Sequence, residues 1–112
     1  MSFEIKVKKV NDVPVLELIG RAIDVDAQKF SRKLKAVYGQ GARRIVVDMS
    51  RTEFLDSHAL GIIVYYDTLM RKEGRRLVVL NGNPDAHSYV HRLFELTNLD
   101  KVIATITSAD DI

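Results

Sequence analysis

The residues best equipped for chemistry sit side by side at Asp56-Ser57-His58. An acid, a hydroxyl and an imidazole are the residue types of a hydrolase triad. Adjacent positions serve that chemistry badly, because a triad is assembled from separate elements. No Gly-x-Ser-x-Gly turn is present to expose a nucleophile, so the sequence contains no catalytic set. His87 and His91 have the i, i+4 spacing of a metal pair on one helix. Ser88 stands where a zincin would carry glutamate, and the two read as solvated histidines on a helix face. Asp48 and Asp56 resemble part of a phospho-aspartate switch, but Lys101 comes before the last predicted strand instead of after a late one. The glycines at 20, 39, 41, 61, 74 and 82 are scattered and form no phosphate loop. No cofactor or metal is expected.

Ser57 is left as the group of interest. The sequence places it at the N-cap of an amphipathic helix, with Asp56 beside it. One reading is structural: a capping serine contributes about 1 kcal/mol. The other is a modification site. A helix N-terminus offers free N–H groups and the positive end of the dipole, which suits a phosphate. Phosphorylation would add about −2 of charge next to the Asp56 carboxylate and change the surface sharply. The residues alone leave both readings open.

The flanking pattern supplies the elements that position this step. Phe3, Ile5 and Val7 alternate with Glu4, Lys6 and Lys8, as in a strand with one buried face. Asn11-Asp12 is a turn, and Val13 to Ile19 is a second strand closed by Gly20, which gives an antiparallel hairpin. Pro14 is tolerable at an edge or first position. From Asp26 the period becomes helical, with Ala27, Phe30, Leu34 and Val37 on one stripe and Gly39 and Gly41 ending it. Ile45-Val46-Val47 reads as a strand covered on both faces, ending at Asp48. Ser50 to Asp56 reads as a linker with a short extended piece at Phe54-Leu55. A helix from His58 to Lys72 follows, stopped by Gly74, and then a strand from Leu77 to Leu80.

Pro84 suits the first turn of a third helix, with Ala86, Tyr89, Val90, Leu93 and Phe94 on one face. Val102 to Ile106 is a last strand, and Ser108 begins a terminal turn. The order β-β-α-β-α-β-α-β predicts an α/β fold: a mixed, mostly parallel sheet with an antiparallel N-terminal edge hairpin and helices packed against it. The carboxyl ends of its strands would collect Asp24, Asp48, Asp56, Ser57 and Asn81-Gly82-Asn83.

Composition narrows the function classes. The chain has 112 residues, 46% apolar and 29% charged, with no cysteine. That fits one domain over residues 1–112, burying roughly two thirds of its unfolded surface. It excludes disulfide scaffolds and cysteine-based metal sites. Met1-Ser2-Phe3-Glu4-Ile5-Lys6 has no apolar core and does not read as a signal peptide. The apolar run from Ala59 to Tyr66 is far shorter than the ~20 residues that span a bilayer. A cytoplasmic protein without membrane insertion is expected. Seventeen basic and 15 acidic side chains leave a net charge of +2. That balance gives direct nucleic-acid binding no support. The cations at 29 to 35, Arg43-Arg44, Arg71-Lys72 and Arg75-Arg76 read as a solvated face or as a patch for an acidic partner.

The stretch from Asp48 to Gly61 resembles the signature of the STAS domain, the family of anti-sigma factor antagonists. The matching residues are Asp48, Ser50, Phe54, Leu55, Asp56, Ser57, Leu60 and Gly61. The opening hairpin, Gly20 to Asp24 before the first helix, and Leu96 to Val102 fit as well. The resemblance implies that Ser57 is phosphorylated by an anti-sigma factor that is itself a serine kinase. The unmodified antagonist would bind this partner, phosphorylation would release it, and a serine phosphatase would restore binding. The partner surface implied is Asp24, Asp56, Ser57, His58 and Leu60. A scaffold or accessory subunit of a transporter or stress-signalling complex is the alternative role.

Three features depart from the family pattern. His58 stands in place of Ser or Thr. Ala59 stands in place of Gly and adds a methyl group where a kinase would approach. The segment Gly20-Arg21-Ala22-Ile23-Asp24 is one residue longer than the common form.

Overall fold

The computed structural model describes residues 3–112. Met1 and Ser2, on which the signal-peptide expectation partly rests, lie outside the described residues. Two strands open the chain, Glu4–Val10 (β1) and Val13–Ala22 (β2), paired antiparallel from Glu4↔Ile19 to Val10↔Val13. The two residues between them, Asn11 and Asp12, have φ of 52° and 65°. Two left-handed residues make the tight turn whose twist matches a hairpin, and Asn and Asp tolerate that region best after glycine. Pro14 is second in β2, before β3 begins pairing at Val15↔Val46, so its missing N–H disturbs no bond to that neighbour.

The remaining elements are Val25–Gly39 (α1), Arg44–Asp48 (β3), Thr52–Leu55 (β4), Ser57–Lys72 (α2), Arg76–Leu80 (β5), Tyr89–Thr97 (α3) and Ala104–Ile106 (β6). The sheet runs β1-β2-β3-β5-β6, antiparallel in the first pair and parallel elsewhere, with β4 also paired to β2. This is the mixed α/β sheet expected from the element order.

All three helices bury their stripes against one side of the sheet. Ala27, Phe30, Leu34 and Val37 of α1 join Ile62, Ile63 and Met70 of α2 and Val90 and Phe94 of α3. Leu16, Leu18, Ile45, Val47, Leu77 and Val79 complete this core. On the other side Val15, Val46, Val78 and Leu80 form a smaller cluster, with Val10, Val13, Ala104, Ile106 and Ile112 packed on it. The central strands β2, β3 and β5 are thus buried on both sides, but α1, α2 and α3 all contribute to the larger cluster.

Three expectations are corrected. First, Gly20 does not end the second strand. It adopts φ +96° at a register shift, and β2 runs on to Ala22. Glycine accepts that φ without a Cβ clash, so the strand bends where the sequence suggests a stop. The bent part pairs with Thr52, Phe54 and Leu55, so most of the expected linker is strand β4. Thr52 secures it by donating its hydroxyl to the Leu18 carbonyl at 2.8 Å.

Second, the third helix starts at Tyr89, and Pro84 lies outside it. Asn81, Asn83 and Asp85 each accept a bond from the N–H two residues on, at 3.2, 3.0 and 2.9 Å. Such side-chain turns compete with helix and hold this stretch irregular. His87 therefore sits before α3 and His91 within it. They are not an i, i+4 pair on one helix, and His91 Nε2 lies 3.1 Å from the Asn83 carbonyl. Among the described residues no cluster of His, Asp and Glu suits a metal ion.

Third, Val102 and Ile103 are not strand. Asn98 ends α3 at φ 58°, a 3₁₀ turn covers Leu99–Lys101, and Ile103 drops into the core. Among the described residues no helix is long and apolar enough to cross a membrane.

Candidate functional site

The site forms where β2 and β4 end side by side. β2 delivers Asp24, the last residue before α1, and β4 delivers Asp56, the last before α2. Asp56 is the cap of α2. Its backbone is extended, and its Oδ1 accepts the Ala59 N–H at 2.8 Å. Ser57 is the first helical residue, so the expected capping serine is corrected by one position. Asp and Ser are comparable caps, and a second bond decides between them. Asp56 Oδ2 accepts the Asp24 N–H at 2.9 Å, tying the start of α1 to the start of α2.

Asp24 holds φ 52° and ψ −115°, outside the region ordinary residues favour. That conformation costs on the order of 1–3 kcal/mol and aims its N–H at the Asp56 carboxylate. Burial alone would raise the pKa of Asp56. The bonds from Ala59 and Asp24, with His58 nearby, outweigh it and hold the group below the ordinary carboxylate value. Asp56 is therefore an anion at neutral pH.

The Asp56 bonds leave Ser57 free. Its side chain is exposed, as is His58. Together with Ser31 of α1 and Gly61 and Tyr65 of α2 they line a shallow hollow on the surface. Leu60 is half-buried and packs partly on the core, so it offers only an edge to this surface. Ala59 is fully buried. Its methyl group faces the core, which corrects the expectation that it stands in the path of an approaching partner. Asp48 is engaged elsewhere. It accepts the N–H and hydroxyl of Ser50, and Ser50 Oγ accepts the Gly82 N–H at 2.7 Å. Asp48 and Gly82 thus belong to a brace between β3 and the loop after β5, not to the exposed group.

Two contributors were not identified from the sequence. Tyr89 of α3 accepts the Leu55 N–H and donates to the Leu55 carbonyl at 3.0 Å, fixing the strand end that carries Asp56. Its ring packs on Phe54, which the Arg21 guanidinium covers at 4.8 Å. Tyr89 lies on the apolar stripe of α3, so only its long-range partner marks it. Tyr65 is 60% exposed and meets Tyr66 edge-on. It falls off the buried stripe Ala59, Ile62, Ile63, Tyr66 and Met70. An aromatic in an outward position of an amphipathic helix was the available signal.

The chemistry such a surface supports is recognition and modification. An exposed hydroxyl stands next to a fixed anion, with half-exposed and exposed apolar side chains around it. Tyr65 is the large exposed one in the hollow, and Ile23 and Val25 are exposed on either side of Asp24.

A family model for the STAS domain matches residues 4–112. The chain is 29% identical over 69 residues to the anti-sigma F factor antagonist of Paenibacillus polymyxa, covering 62% of this chain and 56% of that one. The match therefore spans little more than half of that relative. The fold superposes on the crystal structure of an anti-sigma factor antagonist from Mycobacterium paratuberculosis with a TM-score of 0.79. That pair is 25% identical and covers 98% of this chain and 90% of the other. It also superposes on the Bacillus cell fate determinant SpoIIAA in its phosphorylated form with a TM-score of 0.70. There the identity is 19%, over 98% of this chain and 96% of that one.

Proposed function

Because the chain belongs to the STAS domain family, we propose that it is an anti-sigma factor antagonist acting as one domain over residues 1–112. It binds an anti-sigma factor serine kinase through the surface of Asp24, Asp56, Ser57, His58 and the edge of Leu60. It is a binding protein of the cytoplasm and not an enzyme, and it uses no cofactor of its own. Phosphorylation of Ser57 by the partner ends the complex, and a serine phosphatase acting on the modified form restores it.

The observation that carries this reading is the division of labour between Asp56 and Ser57. Asp56 caps α2 and binds Asp24, so the fold asks nothing of the Ser57 hydroxyl. A phosphate there adds about −2 of charge beside an anion the fold keeps ionised. The repulsion acts on the surface, and the cap beneath it stays made. The names of the Paenibacillus and Mycobacterium relatives support the partner class.

The test is incubation with a candidate anti-sigma kinase and ATP, followed by peptide mapping. The reading expects one phosphate, on Ser57, and none on the Ser57→Ala variant. An active kinase that binds the protein and leaves Ser57 unmodified would overturn the switch.

A further inference from the structure

The two flanks of α1 face different surfaces. Ser31 borders the Ser57 hollow, whereas Lys29, Arg32, Lys33 and Ala36 line a groove between α1 and the edge strand β1. Their i, i+3, i+4, i+7 spacing puts them on a single stripe of the helix. Phe3, just before β1, and Ile5 of β1 line the groove as well, each half-buried. Val7 lies on the same side of the strand by alternation and is 48% exposed. The groove thus has apolar residues along its strand side and cations along its helix side. Glu4 is the one acidic residue in its lining. Among the described residues Lys29, Arg32 and Lys33 take part in no ion pair. The exposed Lys6, Lys8 and Lys9 of β1 add to the positive field along this edge.

We propose that this groove is a second docking surface, for an acidic segment of a partner protein with apolar side chains interleaved among its carboxylates. Unpaired cations select acidic charge, and the apolar strip selects side chains that leave water. A nucleic-acid backbone would answer the cations but make no use of Phe3, Ile5 and Val7. A bilayer is flat and is met by a protruding basic-apolar face, not by a recess beside an edge strand. The surface is separate from Ser57, so occupancy does not depend on phosphorylation.

The probe is a short soluble peptide alternating glutamate with leucine, titrated into the full chain and followed by amide chemical shifts. Shifts are expected at Ile5, Val7, Arg32 and Lys33, with Ser57 and Tyr65 undisturbed. The double variant Lys29→Glu, Lys33→Glu should bind about tenfold more weakly or worse, through like-charge repulsion. Its spectrum away from the groove reports that the fold is intact. Ser57→Asp should bind as the unmodified protein does. Absence of shifts in the groove, or equal binding by the double variant, would overturn the proposal. So would larger groove shifts with duplex DNA or with anionic phospholipid vesicles than with the peptide.

Discussion

At the scale of single residues, Asp56 is the pivot. One carboxylate closes the first turn of α2 through Ala59 and holds the strained Asp24 backbone. The Asp56→Ala variant should lose about 1–2 kcal/mol of unfolding free energy in urea. Asp56→Asn keeps an acceptor oxygen and should lose less. The pH dependence has a fixed sign. The folded-state pKa of Asp56 is depressed, so its contribution is fully present above the unfolded carboxylate pKa. It disappears as pH falls through the folded pKa. The stability gap between the native protein and Asp56→Asn should therefore shrink on acidification, measured by urea melts at a series of pH values. A gap that widens in acid contradicts the assignment. The sequence located this step but put the cap at Ser57, one position beyond Asp56. Either residue can cap, and the deciding bond comes from Asp24, which no local pattern contains.

At the scale of elements, the parts legible in the sequence are those with a strong local period. α1 and α2 show their buried stripes, and β3 and β5 show as short apolar runs. Of β4 only the extended piece at Phe54-Leu55 was legible, because the strand is short, carries the exposed Glu53, and pairs with a part of β2 that lies beyond a glycine. The start of α3 was hidden because Asn and Asp side chains capture the N–H groups that a helix would have used.

Within α2, Gly61 separates folding from binding. It lies in the helix interior, exposed, and a Cβ placed there would meet nothing within 4 Å. Gly61→Ala should raise stability by about 0.5–1 kcal/mol, since alanine is the better helix former. If the hollow beside Ser57 is the partner surface, the same methyl group stands in it and partner affinity should fall. Equal affinity for the two proteins would move the contact away from Gly61.

For the whole molecule, the fold is braced at the end remote from Ser57. Arg75 donates from Nε to the Ala42 carbonyl at 2.9 Å and from Nη2 to the Tyr38 carbonyl at 2.8 Å. Its Nη1 pairs with Glu73 at 2.9 Å, and its guanidinium lies 4.4 Å from the Tyr38 ring centroid. Tyr38 in turn donates its hydroxyl to Glu73. This joins the ends of α1 and α2 to the approach to β3, so Arg75 is no solvated surface charge. Charge spacing alone could not tell it from Arg76, which is exposed. Arg75→Ala should cost about 1–3 kcal/mol in thermal or urea unfolding and leave partner affinity at Ser57 unchanged. Lysine cannot reproduce the fork of bonds and should not rescue it.

With folding held by the core and this brace, and the α2 cap held by Asp56, the surface at Ser57 is free to carry a signal. The most direct measurement is a calorimetric titration of a candidate anti-sigma factor kinase with the unmodified protein, Ser57→Ala and Ser57→Asp. The account predicts that unmodified protein and Ser57→Ala bind alike, while Ser57→Asp binds at least about tenfold more weakly and melts within about 0.5 kcal/mol of the unmodified protein. Equal affinity of Ser57→Ala and Ser57→Asp, with both folded, would contradict it.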